Sequence, residues 1–213
     1  MSKYSHPEFD DIDYRKAAVN GAAKPRLLLH CCCAPCAAGC IERLSELFEV
    51  TFYYYNPNIT DDEEYVKRFN ELRRLGESFG VPAIDGGRDD FFAAVKGLEN
   101  EPEGGARCAV CFKMRLFKTA EAAGDYDCFA TTLTLSPLKN ARLINEIGSA
   151  AAEKFGTEYI KTDFKKRGGG LRSKALSEEL NLYRQNYCGC AFSRNAVAAA
   201  GRKNEYEKDS SGQ

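Results

Sequence analysis

Nine of the chain's ten cysteines are clustered, and their spacing defines the chemistry available to it. Cys31, Cys32, Cys33, Cys36 and Cys40 form one group, Cys108 and Cys111 a second, Cys188 and Cys190 a third, and Cys128 stands alone. Grouped thiolates hold soft metals or cycle between thiol and disulfide. Read alone, Cys33-Ala34-Pro35-Cys36 also fits a dithiol exchanger of the thioredoxin type. The second pair, Cys108-Ala109-Val110-Cys111, turns the reading towards metal, because two cysteines three apart at a helix start project to one side. Four thiolates from two such pairs suit a closed zinc site or a [4Fe–4S] cluster, and spacing does not choose between them. Inert burial is the ordinary alternative for a free cysteine, and it is the expected state of Cys31 and Cys40.

The pair Cys188-Gly189-Cys190 is a different device. A disulfide across one glycine closes a very small ring, so it is strained and easily reduced. An electron relay is the matching chemistry; extra metal ligands or inert thiols are the alternatives. Of the two histidines, His6 lies in a polar terminal stretch, and His30 inside an apolar run is expected to be a core residue.

Polar residues gather near the same places. Ser136-Pro137-Leu138-Lys139-Asn140 and Lys165-Lys166-Arg167-Gly168-Gly169-Gly170-Leu171-Arg172 each follow an apolar run. Glycines let backbone approach a ligand, and the basic residues between 165 and 174 suit phosphates or a solvated surface equally. Tyr183-Arg184-Gln185-Asn186-Tyr187 carries planar groups suited to holding a nucleobase. Asn56, Asn58, Lys139, Asn140, Arg184, Asn186 and Tyr187 are the candidates for substrate contact.

These groups must be positioned by an alternation of short apolar runs and longer amphipathic segments. Strands are expected at Arg26–Cys32, Val50–Tyr55, Val81–Ile84, Cys128–Leu135 and Glu158–Phe164. Helices are expected over Cys36–Phe48, Thr60–Phe79 with a Thr60/Glu63 capping box, and Phe91–Leu98. Further helices are expected over Ala109–Ala123, Asn140–Phe155, Leu171–Leu180 and Ala191–Ala200, with the loop Asn100–Arg107 delivering Cys108. Strand–helix alternation predicts an α/β fold, a Rossmann-like, mainly parallel sheet with helices on both faces. If Cys32 and Cys33 serve one site, the first strand must end before them, since successive strand residues face opposite ways. Pro35 supports that break, and it places Cys36 in a first helical turn, where free N–H groups favour a thiolate.

Composition bounds the rest. The chain is 213 residues long, 44% apolar and 29% charged, enough for one packed domain. Residues 1–24 are expected to be a polar N-terminal extension, 25–200 the α/β domain, and 201–213 a solvated tail. The apolar runs are too short to span a bilayer and no secretory signal is evident, so a reducing cytoplasmic setting and no membrane partner are expected. Thirty basic against 31 acidic residues leave a net charge of −1, which argues against wrapping long nucleic acid.

Five segments together resemble the cobalamin-independent epoxyqueuosine reductases of the QueH family: His30–Cys36, Tyr55–Ile59, Arg107–Cys111, Thr131–Asn140 and Leu182–Phe192. The resemblance covers residues 30 to about 192. It implies a single-domain fold related to the nucleotide-binding PP-loop (HUP-like) proteins. It also implies an iron–sulfur-dependent deoxygenation of epoxyqueuosine in tRNA to queuosine, the last step of that synthesis. Carried over by position, Cys32, Cys33, Cys108 and Cys111 are ligands of a [4Fe–4S] cluster, and Cys36 ligates one additional iron. Cys188 and Cys190 become a redox-active disulfide, acting with Cys36 in catalysis, and Cys31 is the spare. The implied partners are tRNA carrying epoxyqueuosine in its anticodon loop and an electron donor. Rival readings are a PP-loop tRNA thiolation enzyme, a thiol–disulfide oxidoreductase using Cys33 and Cys36, and a zinc-stabilised tRNA-binding module. The first wants a Ser/Gly-rich phosphate loop where this chain has Cys-Cys-Ala-Pro-Cys.

Overall fold

The computed structural model describes residue 12 and residues 23–199. Its centre is a four-stranded, all-parallel sheet in the order β3-β2-β1-β4, formed by β1 (Arg26–His30), β2 (Glu49–Tyr54), β3 (Ala83–Asp85) and β4 (Cys128–Thr131). In register, Leu29 of β1 sits between Phe52 and Ala130; Leu27 and Leu29 pack on one face and Leu28 on the other, so the central strand is apolar on both, as a covered parallel strand must be. The helices are α1 (Ala34–Ala38), α2 (Ile41–Leu47), α3 (Asp62–Phe79), α4 (Phe91–Ala94), α5 (Ala106–Ala122), α6 (Ala141–Phe155), α7 (Gly169–Glu179) and α8 (residues 191–199). One face packs Leu27, Leu29, Phe52 and Tyr54 under Leu44, Leu72, Leu75 and Leu176 of α2, α3 and α7. The other packs Leu28, Tyr53, Tyr55 and Phe129 under Ala120 of α5 and Ala151 of α6. The expected α/β architecture is the observed one.

The chain leaves β3 on one side of β1 and returns as β4 on the other. That reversal makes the crevice beyond the carboxyl ends of β1 and β4 a topological switch point, where such sheets bind ligands. The Cys31–Cys36 turn follows β1 and Thr132–Lys139 follows β4, so both open into it.

Several boundaries differ from the sequence expectation, each for a local reason. The Cys36–Phe48 helix is two helices, because Gly39 passes so close to α7 that a Cβ there would lie 2.7 Å from the Gly169 carbonyl. Helix α3 is capped by Asp61, whose carboxylate accepts from Glu64 N at 3.0 Å, and not by the Thr60/Glu63 box. Helix α4 stops at Ala94, ahead of Gly97 with its positive φ of 83°. Helix α5 begins at Ala106, so Cys108 rides on the helix and is not delivered by the preceding loop. Strand β4 ends at Thr131, whose Oγ1 accepts from Leu133 N at 3.2 Å and turns Thr132–Leu135 into a 3-10 helix.

The fifth strand is the largest correction. Tyr159 bridges Phe129 in parallel, but residues 158–164 form no strand element. The Asn145 carboxamide takes the place of a neighbouring strand: its Nδ2 donates to Thr162 O at 2.9 Å and its Oδ1 accepts from Thr162 N at 3.1 Å. Within the expected N-terminal extension, Ile12 is buried and bridges Thr162. His6, Ala200 and the tail at 201–213 lie outside the described residues. Among the described residues, no helix is long and apolar enough to cross a membrane.

Candidate metal centre

Strand β1 ends at His30, before the cysteines, as a shared site for Cys32 and Cys33 requires. Cys31 still donates its N–H to Tyr53 O at 2.9 Å and turns its sulfur into the core, donating to Leu29 O at 3.3 Å. Cys33 is the N-cap residue of α1, in extended conformation, and Pro35 opens the helix. This break throws Cys32, Cys33 and Cys36 to one side, with all three sulfurs within 4.8 Å of one another and Cys32 Sγ 3.8 Å from Cys33 Sγ. Such a set could hold a metal ion. Cys40 and Cys128 are buried and bond backbone carbonyls, so with Cys31 they are core residues.

Crowding three sulfurs makes them share charge. Cys32 is held well below the usual thiol value because Cys33 and Cys36 donate hydrogen bonds to it, and the cations Lys139 and Arg115 add to the effect. Cys33 rises to about 12 through its hydrogen bond to Cys32. Cys36 rises well above its ordinary value for the same reason. The first-turn position predicted the thiolate at Cys36; the hydrogen bonds within the trio favour Cys32 instead, with Cys33 and Cys36 as its donors.

Cys108 and Cys111, one turn apart on α5, form the adjoining wall. Phe112 packs with Cys32 and Cys33, and Cys108 borders the same cluster. Burial pushes both thiols up, Cys111 to about 12. Arg115, one further turn along and 1% exposed, lies beside Cys111 and works against that rise. The sequence reading passed over Arg115, yet its place four residues after Cys111 on one helix face was a usable signal.

The Cys188-Gly189-Cys190 loop closes the site from above, and both of its cysteines are free thiols. Gly189 has φ 111°, and a Cβ there would meet Ile59 Cγ1 at 2.8 Å, so glycine is needed for conformation and for space. Arg68, also buried and unforeseen, pairs with Glu64 at 2.6 Å and donates to the carbonyls of Cys188 at 3.2 Å and Tyr187 at 3.4 Å. Cys108, Cys111, Cys188 and Cys190 line one inner chamber with Asn58 and Lys139. An outer cleft of about 240 Å³ adjoins it, sharing Glu103, Leu138, Lys139 and Cys188 and adding Gln185, Asn186 and Tyr187. Burial alone would lower Lys139, but the Cys32 thiolate and the other sulfurs around it outweigh burial and keep the ammonium protonated.

The candidate contact residues therefore divide. Asn58, Lys139, Asn186 and Tyr187 line the cavities. Asn56 does not: it is fully buried, its Nδ2 bonds Cys31 O at 2.9 Å and its Oδ1 receives Arg115, which corrects its reading as substrate-facing. Asn140 caps α6 by accepting from Arg142 N and Leu143 N. Arg184 turns back onto α7, donating to Ser177 Oγ at 3.2 Å. The Lys165–Arg172 segment likewise serves packing, with Lys165 paired to buried Asp163 at 2.9 Å and Arg172 to Glu42.

Three comparisons bear on this arrangement. A family model described as epoxyqueuosine reductase QueH matches residues 27–196. Among curated relatives carrying that description, the protein of Streptococcus pyogenes is 39% identical over 181 residues, covering 80% of this chain and 71% of its own. That of Haemophilus influenzae is 41% identical over 209 residues, covering 84% and 85%. That of Thermotoga maritima is 36% identical over 177 residues, covering 78% and 89%. A solved structure of a U34-tRNA thiolase, NcsA from Methanococcus maripaludis with its [4Fe–4S] cluster, aligns with TM-score 0.52 at 14% identity. It covers 91% of this chain and 72% of that one, a likeness of fold.

Proposed function

This chain belongs to the epoxyqueuosine reductase QueH family, and from that premise we infer that it reduces epoxyqueuosine in tRNA to queuosine at the switch-point crevice. The carrying observation is the convergence of Cys32, Cys33 and Cys36 within 4.8 Å, beside a chamber lined by Cys108, Cys111, Cys188 and Lys139. Their chemistry fits a metal centre: buried sulfurs, one held as thiolate, with fixed cations beside them.

Cys32, Cys33, Cys108 and Cys111 would hold a [4Fe–4S] cluster and Cys36 a further iron, which together supply electrons singly and a Lewis-acidic position. Cys36 suits the second role because it is the one residue of its trio that is not fully buried. Arg115 and Lys139 offset the negative charge that gathers on these thiolates. The outer cleft binds the modified base, with Tyr187 and Asn186 on its wall and the tRNA backbone outside.

Removing the epoxide oxygen takes two electrons and two protons and releases water. Oxidation of the Cys188/Cys190 dithiol to a disulfide delivers both, and the pair is restored by an external electron donor. Lys139, charged and on the wall of both cavities, faces the place where the departing oxygen gathers negative charge.

The test is anaerobic purification with iron, sulfide and zinc analysis, followed by turnover on tRNA carrying epoxyqueuosine. Brown, iron-loaded protein that forms queuosine bears the reading out. A colourless zinc protein, or an iron protein without turnover, overturns it.

A further inference from the structure

Asn58 is 1% exposed, and neither its Nδ2 nor its Oδ1 has a hydrogen-bond partner. A buried carboxamide in that state destabilises the fold, because its bonds to water are lost and not replaced. The rest of the turn is fully engaged. Asn56 is bonded at both ends of its amide, and Ile59 N donates to Asn56 O at 3.0 Å. Arg88 Nη1 holds Ile59 O at 3.0 Å, and Gly189 presses on the Ile59 side chain from above. Asn58 is thus fixed in place facing the inner chamber.

That chamber is lined by Cys108, Cys111, Cys188 and Cys190 as well as by Asn58. It meets the larger cleft at Lys139 and Cys188. A ligand seated in the cleft therefore reaches Asn58 past Lys139 and Cys188. A carboxamide is at once donor and acceptor, the complement of an ether-type oxygen beside a hydroxyl. Gln185, on the cleft wall, also has a buried Oε1 without a partner, so the orphaned polar atoms continue along the same path.

We propose that Asn58 is a substrate-positioning residue: its Nδ2–H donates to the epoxide oxygen and its Oδ1 accepts from a neighbouring ring hydroxyl. The donated bond strengthens as the C–O bond breaks and charge gathers on oxygen. The proposal rests on epoxyqueuosine reduction as the reaction of this site.

The test compares the iron-loaded parental chain with Asn58→Leu and Asn58→Ala under anaerobic conditions. In Asn58→Leu, kcat/KM on epoxyqueuosine-containing tRNA should fall on the order of 100-fold. Its iron and sulfide content and its midpoint potential without tRNA should stay parental. Its Tm should hold or rise by about 2–4 °C, since an unpaired buried amide has been removed. Asn58→Ala should lose as much rate, showing that leucine's bulk is not the cause. A kcat/KM within about threefold of parental in either variant overturns the proposal. So does iron loss, a lower Tm of Asn58→Leu or a shifted potential without tRNA, each of which gives the amide a partner in the protein or metal centre. If the parental chain itself fails to turn over, the reaction assignment falls, and the proposal falls with it.

Discussion

Arg115 Nη2 donates to Asn56 Oδ1 at 2.6 Å, and this bond ties the helix carrying Cys108 and Cys111 to the turn after β2. The guanidinium also donates from Nε to His30 Nε2 at 3.3 Å. Arginine only donates, so His30 Nε2 accepts, and the ring proton sits on Nδ1 facing Thr131 Oγ1 at 2.8 Å. The 3.1 Å approach of Nε2 to Tyr55 O is then a close contact and not a hydrogen bond. Burial first and Arg115 second hold the His30 pKa down to about 3, so the imidazole is neutral. One buried cation thereby joins the ends of β1, β2 and β4 to α5.

Arg115→Met should destabilise the metal-free protein by about 2–4 kcal/mol, because it leaves Asn56 Oδ1 and His30 Nε2 buried without donors. Arg115→Lys should recover less than half, since an ammonium lacks the fork that spans both acceptors. Urea unfolding monitored by circular dichroism measures this; equal midpoints for Arg115→Met and the parental chain would remove Arg115 from its structural role.

The cysteine quartet makes a second prediction. Replacing Cys108 and Cys111 together by alanine should abolish the brown colour and the reductase activity. Far-ultraviolet circular dichroism should change little, because α5 is held by Leu116, Ala120 and its packing on the sheet. Retention of a fully loaded cluster in this double variant, by iron and sulfide assay, would show that its ligands lie elsewhere.

Cys36→Ala separates the two metals proposed. The sulfurs of Cys32 and Cys33 remain 3.8 Å apart without it, so the cluster should survive with its colour. About one iron per chain and nearly all turnover should be lost. Cys36→Asp should keep part of both, because a carboxylate also binds iron. Loss of the whole cluster in Cys36→Ala would assign Cys36 to it.

What could be read in the sequence was local. The turn from β1 into α1 is written in five consecutive residues, and Pro35 with the cysteines around it fixes both the break and the sulfur cluster. Asn58 and Lys139 were legible because each follows a strand end. Long-range substitution for regular structure was not. Nothing near Glu158–Phe164 says that a side chain 17 residues before Thr162 supplies the partner a strand would have given. The thiolate position was equally hidden, since it depends on Cys33 and Cys36 donating to Cys32 across a tertiary turn.

Asn145 carries its own prediction. Asn145→Leu removes the partner of a buried N–H and a buried C=O on Thr162, and the acceptor of the Tyr159 hydroxyl at 3.0 Å. It should destabilise by about 2–5 kcal/mol. Amide exchange at residues 159–162 should accelerate more than in β1. Uniform acceleration across the sheet would mean that Asn145 supports the whole fold and not this segment.

The final prediction concerns Cys188 and Cys190. The loop that carries them is braced from outside the pair: Arg68 holds the Cys188 carbonyl at 3.2 Å and Ser193 Oγ accepts from Cys188 N at 3.2 Å. Replacing both sulfurs by hydroxyls leaves these bonds and the Gly189 turn intact. A disulfide across one glycine closes a strained ring and lies towards the oxidising end of the scale, which suits transient storage of two electrons and not a clamp. The Cys188→Ser, Cys190→Ser variant should therefore bind iron normally and complete one turnover when chemically pre-reduced, its two electrons then coming from the reduced cluster and the additional iron and its protons from solvent. Repeated turnover with a thiol-based or flavin-based donor should fail. Parental cycling with the same donor would mean that electrons reach the metal centre without the pair, leaving the loop only its part in closing the chamber.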